Sequence, residues 1–193
     1  MKIDTAYATE SDADAVTAVL TSAFGADALA AWLFPDPERR PAYQDGFYRS
    51  FIAHPQAECA LAADGAGAAV WIRLAAGEPL HAETAGPTAG PLARLAAVGA
   101  ALDARHPLDR DHLYLPLMGV AAGRQGQGIG SALLREGLAR ADRAGLPAYL
   151  EASSPQSRAL YLRHGFADLG LPVRVEDSPE IQPMWREAAE TNH

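Results

Sequence analysis

Residues 112–134 read HLYLPLMGVAAGRQGQGIGSALL, and they give the clearest indication of the architecture. Residues 112–120 are apolar on both alternating faces, which predicts a strand in the middle of a sheet. Pro116 lies inside this strand and cannot donate a ladder hydrogen bond, so the strand must be unpaired or bulged on one side there. The sequence therefore predicts a gap in the sheet beside Met118 and Gly119, where a ligand can enter.

A glycine-rich loop follows this strand. Gly126, Gly128 and Gly130 come directly before a predicted helix, and they allow bare backbone amides to converge at its N-terminus. The helix dipole and the nearby Arg124 favour negative charge at that point. The loop therefore predicts a phosphate or pyrophosphate site, although a glycine turn that only eases strand-to-helix packing is the alternative for the loop taken alone.

Two nucleotide-binding motifs are tested by the same residues. The Walker loop GxxxxGK[ST], counted from Gly123, fails because Ile129 stands where the phosphate-binding lysine is needed. The dinucleotide fingerprint GxGxxG, counted from Gly128, fails at Leu133, although Glu151 lies about where a ribose-binding acid would be. A nucleotide hydrolase is disfavoured, and a Rossmann-type dinucleotide enzyme remains a weaker alternative.

The spacing Gln125, two residues, Gly128, one residue, Gly130 resembles the acetyl-CoA loop of the GNAT superfamily of N-acetyltransferases. Downstream, residues 144–153 (AGLPAYLEAS) are similar to the family's fifth strand. Residues 157–166 (SRALYLRHGF) are similar to its next helix, with the family's Tyr, three residues, Gly-Phe signature.

The detailed match covers residues 112–166. The LEAS segment and the sequence PMWR at 183–186 are most similar to puromycin N-acetyltransferase and its relatives. Two positions depart from the family pattern: Ala122 replaces a common proline, and Ser157 replaces an asparagine that contacts the cofactor in many members.

The resemblance implies an α/β (α+β) GNAT fold, with a central, mostly antiparallel mixed sheet flanked by helices and splayed strands at the acetyl-CoA site. We expect residues 1–193 to form a single domain of this kind. In such a fold the backbone of Met118, Gly119 and Val120 would hold the pantetheine, with an amide there polarising the acetyl oxygen. The remaining cofactor-binding residues that the resemblance implies are Arg124, Gln125, Gly126, Gln127, Gly128, Ile129, Gly130, Ser131 and Ser157.

Two residues are candidates for catalysis. Alternation along residues 148–152 places Tyr149 and Glu151 on one face, so we expect Glu151 to face the cleft. There Glu151 would take a proton from the incoming ammonium through a water or bind it as an ion partner, unless it only satisfies backbone or arginine groups. Tyr161 would protonate the departing thiolate by the family resemblance, and without the resemblance it is a packing residue. Cys59 lies far from these motifs, so we expect direct attack in a ternary complex rather than an acetyl-cysteine intermediate.

The N-terminal half matches the family only in its order of elements. We predict a strand over residues 2–8, then a helix capped by Ser11 or Asp12, and two helical stretches between residues 27 and 54. A hairpin turning at residues 64–67, an exposed connection over 75–91 and a helix over 92–104 follow. The aromatic residues of this half are predicted chiefly as core, with an acceptor pocket as the second possibility: Trp32, Phe34, Tyr43, Phe47, Tyr48 and Phe51.

Composition limits the function classes. The net charge of −8 disfavours binding to nucleic acid or to an anionic membrane and mildly attracts a cation. The single Cys59 excludes an internal disulfide, the scattered histidines predict no metal site, and no apolar run is long enough for a membrane span. We therefore expect a cytoplasmic protein.

Together these features predict an acetyl-CoA-dependent N-acetyltransferase that acts on an amine of a small molecule, such as an antibiotic-like compound or a polyamine, or of a peptide. A noncatalytic CoA-binding module on the same fold is the alternative from another class. The sequence leaves the acceptor and the choice between monomer and homodimer open.

Overall fold

A mixed sheet with helices on both faces organises the chain, and the computed structural model describes residues 4–7, 12–79, 90 and 92–189. The strands are β1 Thr5–Tyr7, β2 Ala57–Ala62, β3 Gly67–Leu74, β4 His112–Val120, β5 Ala148–Ala152, β6 Ala167–Asp168 and β7 Gln182–Arg186. The helices are α1 Ala13–Phe24, α2 Ala28–Leu33, α3 Arg40–Ile52, α4 Ala93–Asp103, α5 Ile129–Arg143 and α6 Pro155–Arg163.

The strand order is β1-β2-β3-β4-β5-β7-β6, and in these seven strands only the β4–β5 pair is parallel. This arrangement confirms the mostly antiparallel mixed sheet flanked by helices. The hairpin predicted around residues 64–67 is the antiparallel β2–β3 pair. The Ser11 cap, and residues 80–89 and 91 of the predicted exposed connection, lie outside the described residues.

Two strands near the C-terminus were not predicted. β6 has two residues, too few for a periodic signal, and β7 contains Pro183, which argues against a central strand. β7 nevertheless lies between β5 and β6, and Pro183 is opposite Glu151 in the β5–β7 register.

The two faces of the sheet bury separate apolar clusters. Trp71, Leu133 and Leu150 belong to the cluster on the α5 face, whereas Leu20 and Tyr149 belong to the cluster under α1 and α3. Strand alternation explains the division, because neighbouring residues such as Tyr149 and Leu150 point to opposite faces. Within the described residues, no helix is both long and apolar enough to cross a bilayer.

Pro116 interrupts β4 as the sequence predicts. The parallel pairing with β5 covers Leu113 to Leu115 and ends directly before the proline. On the other side, the register with β3 shifts between Val70 and Ile72, so Leu115 and Pro116 together lie opposite Trp71. β4 therefore stays attached to β3 but separates from β5 over its last residues.

Glycines allow helices to approach the sheet closely at two places. A Cβ on Gly119 would lie 2.6 Å from Cβ of Ala23 in α1. A Cβ on Gly137 in α5 would overlap the indole of Trp71, which is 2 % exposed. Both positions therefore depend on the missing side chain.

We predict that Gly137→Ala destabilises the protein by about 1–3 kcal/mol, the usual cost of overpacking a buried contact. Gly46→Ala in α3 is the matched control, because a Cβ there has no heavy atom within 4 Å. Alanine in a helix interior stabilises by roughly 0.5–1 kcal/mol relative to glycine, so the control should move in the opposite direction. Equilibrium urea unfolding measures both, and a Gly137→Ala protein as stable as wild type would contradict the packing described here.

Candidate active site

The loop between β4 and α5 has a backbone that glycine alone adopts without strain. Gly123, Gly126 and Gly128 have φ values of 77°, 77° and 84°, in the left-handed region. Gly128 is also the N-cap residue of α5. These turns let the chain reverse tightly between β4 and the helix that packs on it.

The amides of this loop are available to a ligand. Among the described residues, the backbone N–H groups of residues 125–131 donate to no protein acceptor, and Gln125 to Gly128 are exposed. Unpaired amides at the N-terminus of a long helix form an anion site, because the N–H groups and the helix dipole both favour negative charge. The loop therefore fits a phosphate or pyrophosphate group.

Hydrogen bonds and an ion pair from side chains of the loop stabilise its conformation. Gln125 donates from Nε2 to the Val120 carbonyl at 3.2 Å and accepts from the Gly123 amide at 3.2 Å. Arg124 forms an ion pair with Asp64 of the β2–β3 turn. A hydrogen bond from the Ala66 amide lowers the pKa of the Asp64 carboxyl below its usual value, and the hydrogen bond from Arg124 lowers it further. The guanidinium is thereby held beside the loop, with the Asp64 carboxylate as its ion partner.

The Gln127 and Ser131 side chains also have protein partners. Gln127 accepts from Nε of Arg124 at 3.3 Å, and Ser131 Oγ lies 3.2 Å from Nε2 of His164. Burial lowers the pKa of His164, and the nearby Arg135 and Arg163 lower it further. A neutral His164 can orient the Ser131 hydroxyl at the first turn of α5.

The last residues of β4 offer main-chain groups to the gap. Directly after β4, Ala121 donates to the Ala66 carbonyl at 2.9 Å, so the Ala121 amide points toward the β3 side. Alternation along β4 then directs the amides and carbonyls of Met118 and Val120 away from β3 and toward the gap. Both residues, together with Gly119 and Gly130, line a cavity of about 350 Å³.

Ser157 has a structural task in addition to its place at the cavity. Its amide donates to Ser154 Oγ at 3.1 Å, and its own Oγ accepts from the Ser154 amide at 3.2 Å, which is a capping box at the start of α6. The Ser157 hydroxyl also donates to the Ser154 carbonyl at 2.9 Å. Its donor is therefore engaged by the protein before any ligand arrives.

Glu151 lines the same cavity and accepts a hydrogen bond from the Tyr114 hydroxyl at 2.8 Å. Burial raises the pKa of Glu151 to about 7, the hydrogen bond from Tyr114 opposes this rise, and the charge of Asp103 adds to it. The buried Tyr149 hydroxyl also approaches the Glu151 carboxylate but lacks hydrogen-bond geometry. Tyr114 is therefore the side chain that donates a hydrogen bond to Glu151. Glu151 is thus a carboxyl that exchanges its proton near neutral pH.

Tyr161 lies on α6 and lines the cavity from its other wall. The ring is 7 % exposed and packs on Phe166 at a centroid distance of 5.9 Å. Within the described residues its hydroxyl has no hydrogen-bond partner. Burial, followed by the charge of Glu151, raises the pKa of Tyr161 above its ordinary value, so the hydroxyl keeps its proton.

The cavity extends farther than the sequence motifs indicated. It continues under α1 to α4, where Asp27, Asp103 and Tyr114 reach it together with aromatic side chains that the sequence assigned chiefly to the core. Those aromatic residues are Phe34, Phe47, Tyr48 and Phe51. Helical spacing places an aromatic residue on an inward face but does not separate a packed neighbour from an empty space, so the sequence left an acceptor pocket as its second possibility here and could not choose between the two. Cys59 is half-buried in β2 and does not line the cavity.

Comparison with known proteins agrees with this geometry. The profile of the Acetyltransferase (GNAT) family matches residues 26–166, so the chain belongs to that family.

Solved structures show the same fold over nearly the whole chain. One, described as histone acetyltransferase HPA2 and related acetyltransferase from Corynebacterium glutamicum, is 25% identical with a TM-score of 0.70, covering 100% of both chains. Arylalkylamine N-acetyltransferase 2 from Aedes aegypti is 15% identical with a TM-score of 0.71, covering 98% of this chain and 100% of that one. An agmatine N-acetyltransferase is 19% identical with a TM-score of 0.69, covering 97% and 100%.

We predict that Tyr114→Phe raises the pKa of Glu151 above its value of about 7, because the lost hydrogen bond stabilises the carboxylate. The protonated fraction at neutral pH should therefore increase. Carboxyl ¹³C resonances followed by NMR between pH 5 and pH 9 measure the shift, and Glu151→Gln identifies the signal. An unchanged or lowered pKa in Tyr114→Phe would show that the hydrogen bond does not favour the ionised form.

Proposed function

We propose that this protein is an N-acetyltransferase, which moves the acetyl group of acetyl-CoA to an amine by direct attack in a ternary complex. One observation carries the proposal: a loop of unpaired backbone amides and a carboxylate-bearing cavity meet at the gap between β4 and β5. The loop suits the phosphates of CoA, and the carboxylate suits an amine. We further propose that a single domain, residues 1–193, provides both.

The substrate acetyl-CoA would bind along the separated end of β4. The unpaired amides of residues 125–131 would hold the pyrophosphate, with Arg124 beside it. The main-chain groups of Met118 and Val120 would hold the pantetheine as an added strand does, and an amide of this segment would polarise the thioester carbonyl. Ser157 would contribute mainly through the shape of its wall, since its hydroxyl is engaged in the capping box.

The amine must lose a proton before it can attack. A carboxylate with a pKa of about 7 accepts a proton from an ammonium at neutral pH more readily than an ordinary glutamate does. Glu151 would take this proton directly or through a water, and it would hold the amine in place. Only the ionised form of Glu151 can accept this proton, so the rate should fall as the pH drops below about 7 and Glu151 becomes protonated.

Attack forms the new N–C bond and breaks the C–S bond, which leaves a thiolate that needs a proton. Tyr161 keeps its proton at neutral pH because burial raises its pKa, and this residue lines the cavity with a hydroxyl that has no protein partner among the described residues. The thiolate would take the proton of Tyr161, and the second proton that leaves the amine nitrogen would restore Tyr161, directly or through a water. The ammonium thus loses two protons: Glu151 takes the first and later releases it to solvent, and the second balances the proton that the CoA thiol gains.

Different observations argue against the two alternatives, a Rossmann-type dinucleotide enzyme and a noncatalytic CoA-binding module. A Rossmann enzyme requires a parallel sheet, and the mixed sheet here has a single parallel pair among the described strands. A noncatalytic CoA-binding module would not need Tyr161 and Glu151 in one cavity, so their common location favours an enzyme. The puromycin N-acetyltransferase-like grouping and the cytoplasmic location stay predictions from the sequence.

We predict that Gly126→Val weakens acetyl-CoA binding at least about tenfold, because a side chain on the loop obstructs the approach of the phosphates. Gly145→Val, after α5, is the matched control: both glycines have positive φ, 77° and 64°, and open space around a Cβ. Backbone strain is therefore similar in the two variants, and only the position differs. Calorimetric titration with acetyl-CoA measures both, and equal affinities in folded proteins would remove the loop from the binding site.

We predict that Tyr161→Phe lowers kcat by roughly 10²- to 10⁴-fold, as expected for a lost general acid, while acetyl-CoA affinity stays almost unchanged. Release of CoA thiol over a panel of primary amines measures the rate and at the same time tests the activity itself. Tyr43→Phe is the control, because Tyr43 stacks on Phe34 and does not line the cavity. A kcat within about threefold of wild type, with chemistry limiting the rate, would make Tyr161 a packing residue.

A further inference from the structure

The part of the cavity under the helices is apolar, and we refer to it as the acceptor chamber. Its walls are supplied by α1, α3, α4 and the segment after α2, through Phe24, Phe34, Phe47, Phe51 and Val98. Phe47 and Phe51 meet edge to face at 5.1 Å, which gives one wall a fixed aromatic surface. The chamber therefore gains affinity from an apolar body, because such a body leaves water on entering.

The charged groups around the cavity are all of one sign. Among the described residues, Asp27, Asp103 and Glu151 are the charged side chains that line it, and no lysine, arginine or histidine does. A carboxylate on the acceptor would lose its hydration without gaining a cation or an arginine fork. An ammonium gains a carboxylate instead. Acceptors that carry an α-carboxylate, such as free amino acids, are therefore disfavoured.

A second ammonium on the acceptor would find little compensation in the chamber. Two carboxylates lie on its helical side, Asp27 and Asp103 of α4. Asp103 is close enough to Glu151 for its charge to raise the pKa of that group, so Asp103 belongs to the end that takes the reacting amine. Oδ1 of Asp27 accepts from the Ala30 amide at 2.9 Å as the N-cap of α2. Burial also raises the pKa of Asp27, which disfavours its ionised form. A polyamine would thus place a cation among aromatic side chains with a poor ion partner.

The reactive end of the amine is directed by a different pair of groups. Glu151 and Tyr161 both line the cavity, and the Tyr161 side chain is more than nine-tenths buried, with a hydroxyl that has no hydrogen-bond partner among the described residues. The amine nitrogen belongs at this polar end, and the apolar body belongs under the helices. One small molecule, with a single amine at the end of an apolar body, satisfies both ends.

On the basis of the proposed function, we infer that the acceptor is a primary amine on an apolar, aromatic-sized body without a carboxylate. The inference concerns the same cavity and names the substrate class that its walls select. Peptide acceptors are less suited, since their backbone amides would enter the chamber without hydrogen-bond partners.

Three probes separate the classes: 2-phenylethylamine has the apolar body alone, L-phenylalanine adds a carboxylate to it, and putrescine replaces the ring with a second ammonium. We expect kcat/KM for 2-phenylethylamine to exceed that of each of the others by about 10- to 100-fold, the range expected for burying an aromatic ring or for avoiding an unpaired charge. A higher kcat/KM for L-phenylalanine or putrescine would overturn the inference and leave the proposed function intact.

A binding measurement keeps the inference separate from catalysis. Calorimetric titration of each probe into the protein with CoA present reports selection in the chamber whether or not acetyl transfer occurs. Preferred binding of 2-phenylethylamine without CoA thiol release would support the chamber and remove the enzyme. Equal binding of the three probes, or no binding of 2-phenylethylamine, would overturn the inference.

Gly99→Leu tests the position of the chamber. Gly99 lines the cavity on α4, and a Cβ there has no heavy atom within 4 Å, so a leucine side chain has room to enter the space. We expect kcat/KM for 2-phenylethylamine to fall about tenfold or more, the effect on ethylamine to be smaller, and acetyl-CoA affinity to be retained.

Gly46→Leu is the matched control, because Gly46 is an exposed helical glycine with the same open surroundings and does not line the cavity. It should leave the kinetics of both amines unchanged. If Gly99→Leu reduced both amines equally, or if Gly46→Leu acted like it, the chamber would not be the place where the apolar body binds.

Discussion

A proline in the middle of a strand sets the geometry on which the rest of the site depends. Pro116 has no N–H, and the pairing of β4 with β5 ends directly before it. On the β3 side the strand absorbs the interruption as a register shift opposite Trp71 and then continues to pair. The sheet therefore remains continuous on one side and opens on the other. Main-chain groups that a regular ladder would use are left facing the opening, where a substrate can use them.

Glycines then serve two distinct purposes around this opening. In the loop after β4, positive φ values at Gly126 and Gly128 turn the chain so that its amides converge on α5 without protein acceptors. At Gly119 and Gly137 the missing side chain matters for a different reason, since it allows α1 and α5 to pack directly on the sheet. Close packing on both faces holds the walls of the opening in place.

The cavity has opposite electrostatic characters at its two ends. Unpaired amides and the helix dipole favour anions at the loop, whereas all charged side chains that line the cavity within the described residues are carboxylates. Burial raises the pKa of one of these carboxylates, Glu151, to about 7, and Glu151 accepts a hydrogen bond from Tyr114. This division suits a reaction in which an anionic thioester and a cationic amine must meet in one place.

The amino-acid sequence by itself determined the central strand, the interruption at Pro116 and the glycine loop, because each depends on local backbone properties of proline and glycine. It also placed Glu151 on the face opposite Leu150 through strand alternation. Only the tertiary structure decided that Tyr114 is the partner of Glu151 and that Asp27 reaches the cavity. It also decided that several aromatic residues, predicted chiefly as core and secondly as a pocket, line a chamber. These relations join elements far apart in the chain. Periodicity reports which face of an element is buried but not what fills the space beyond it.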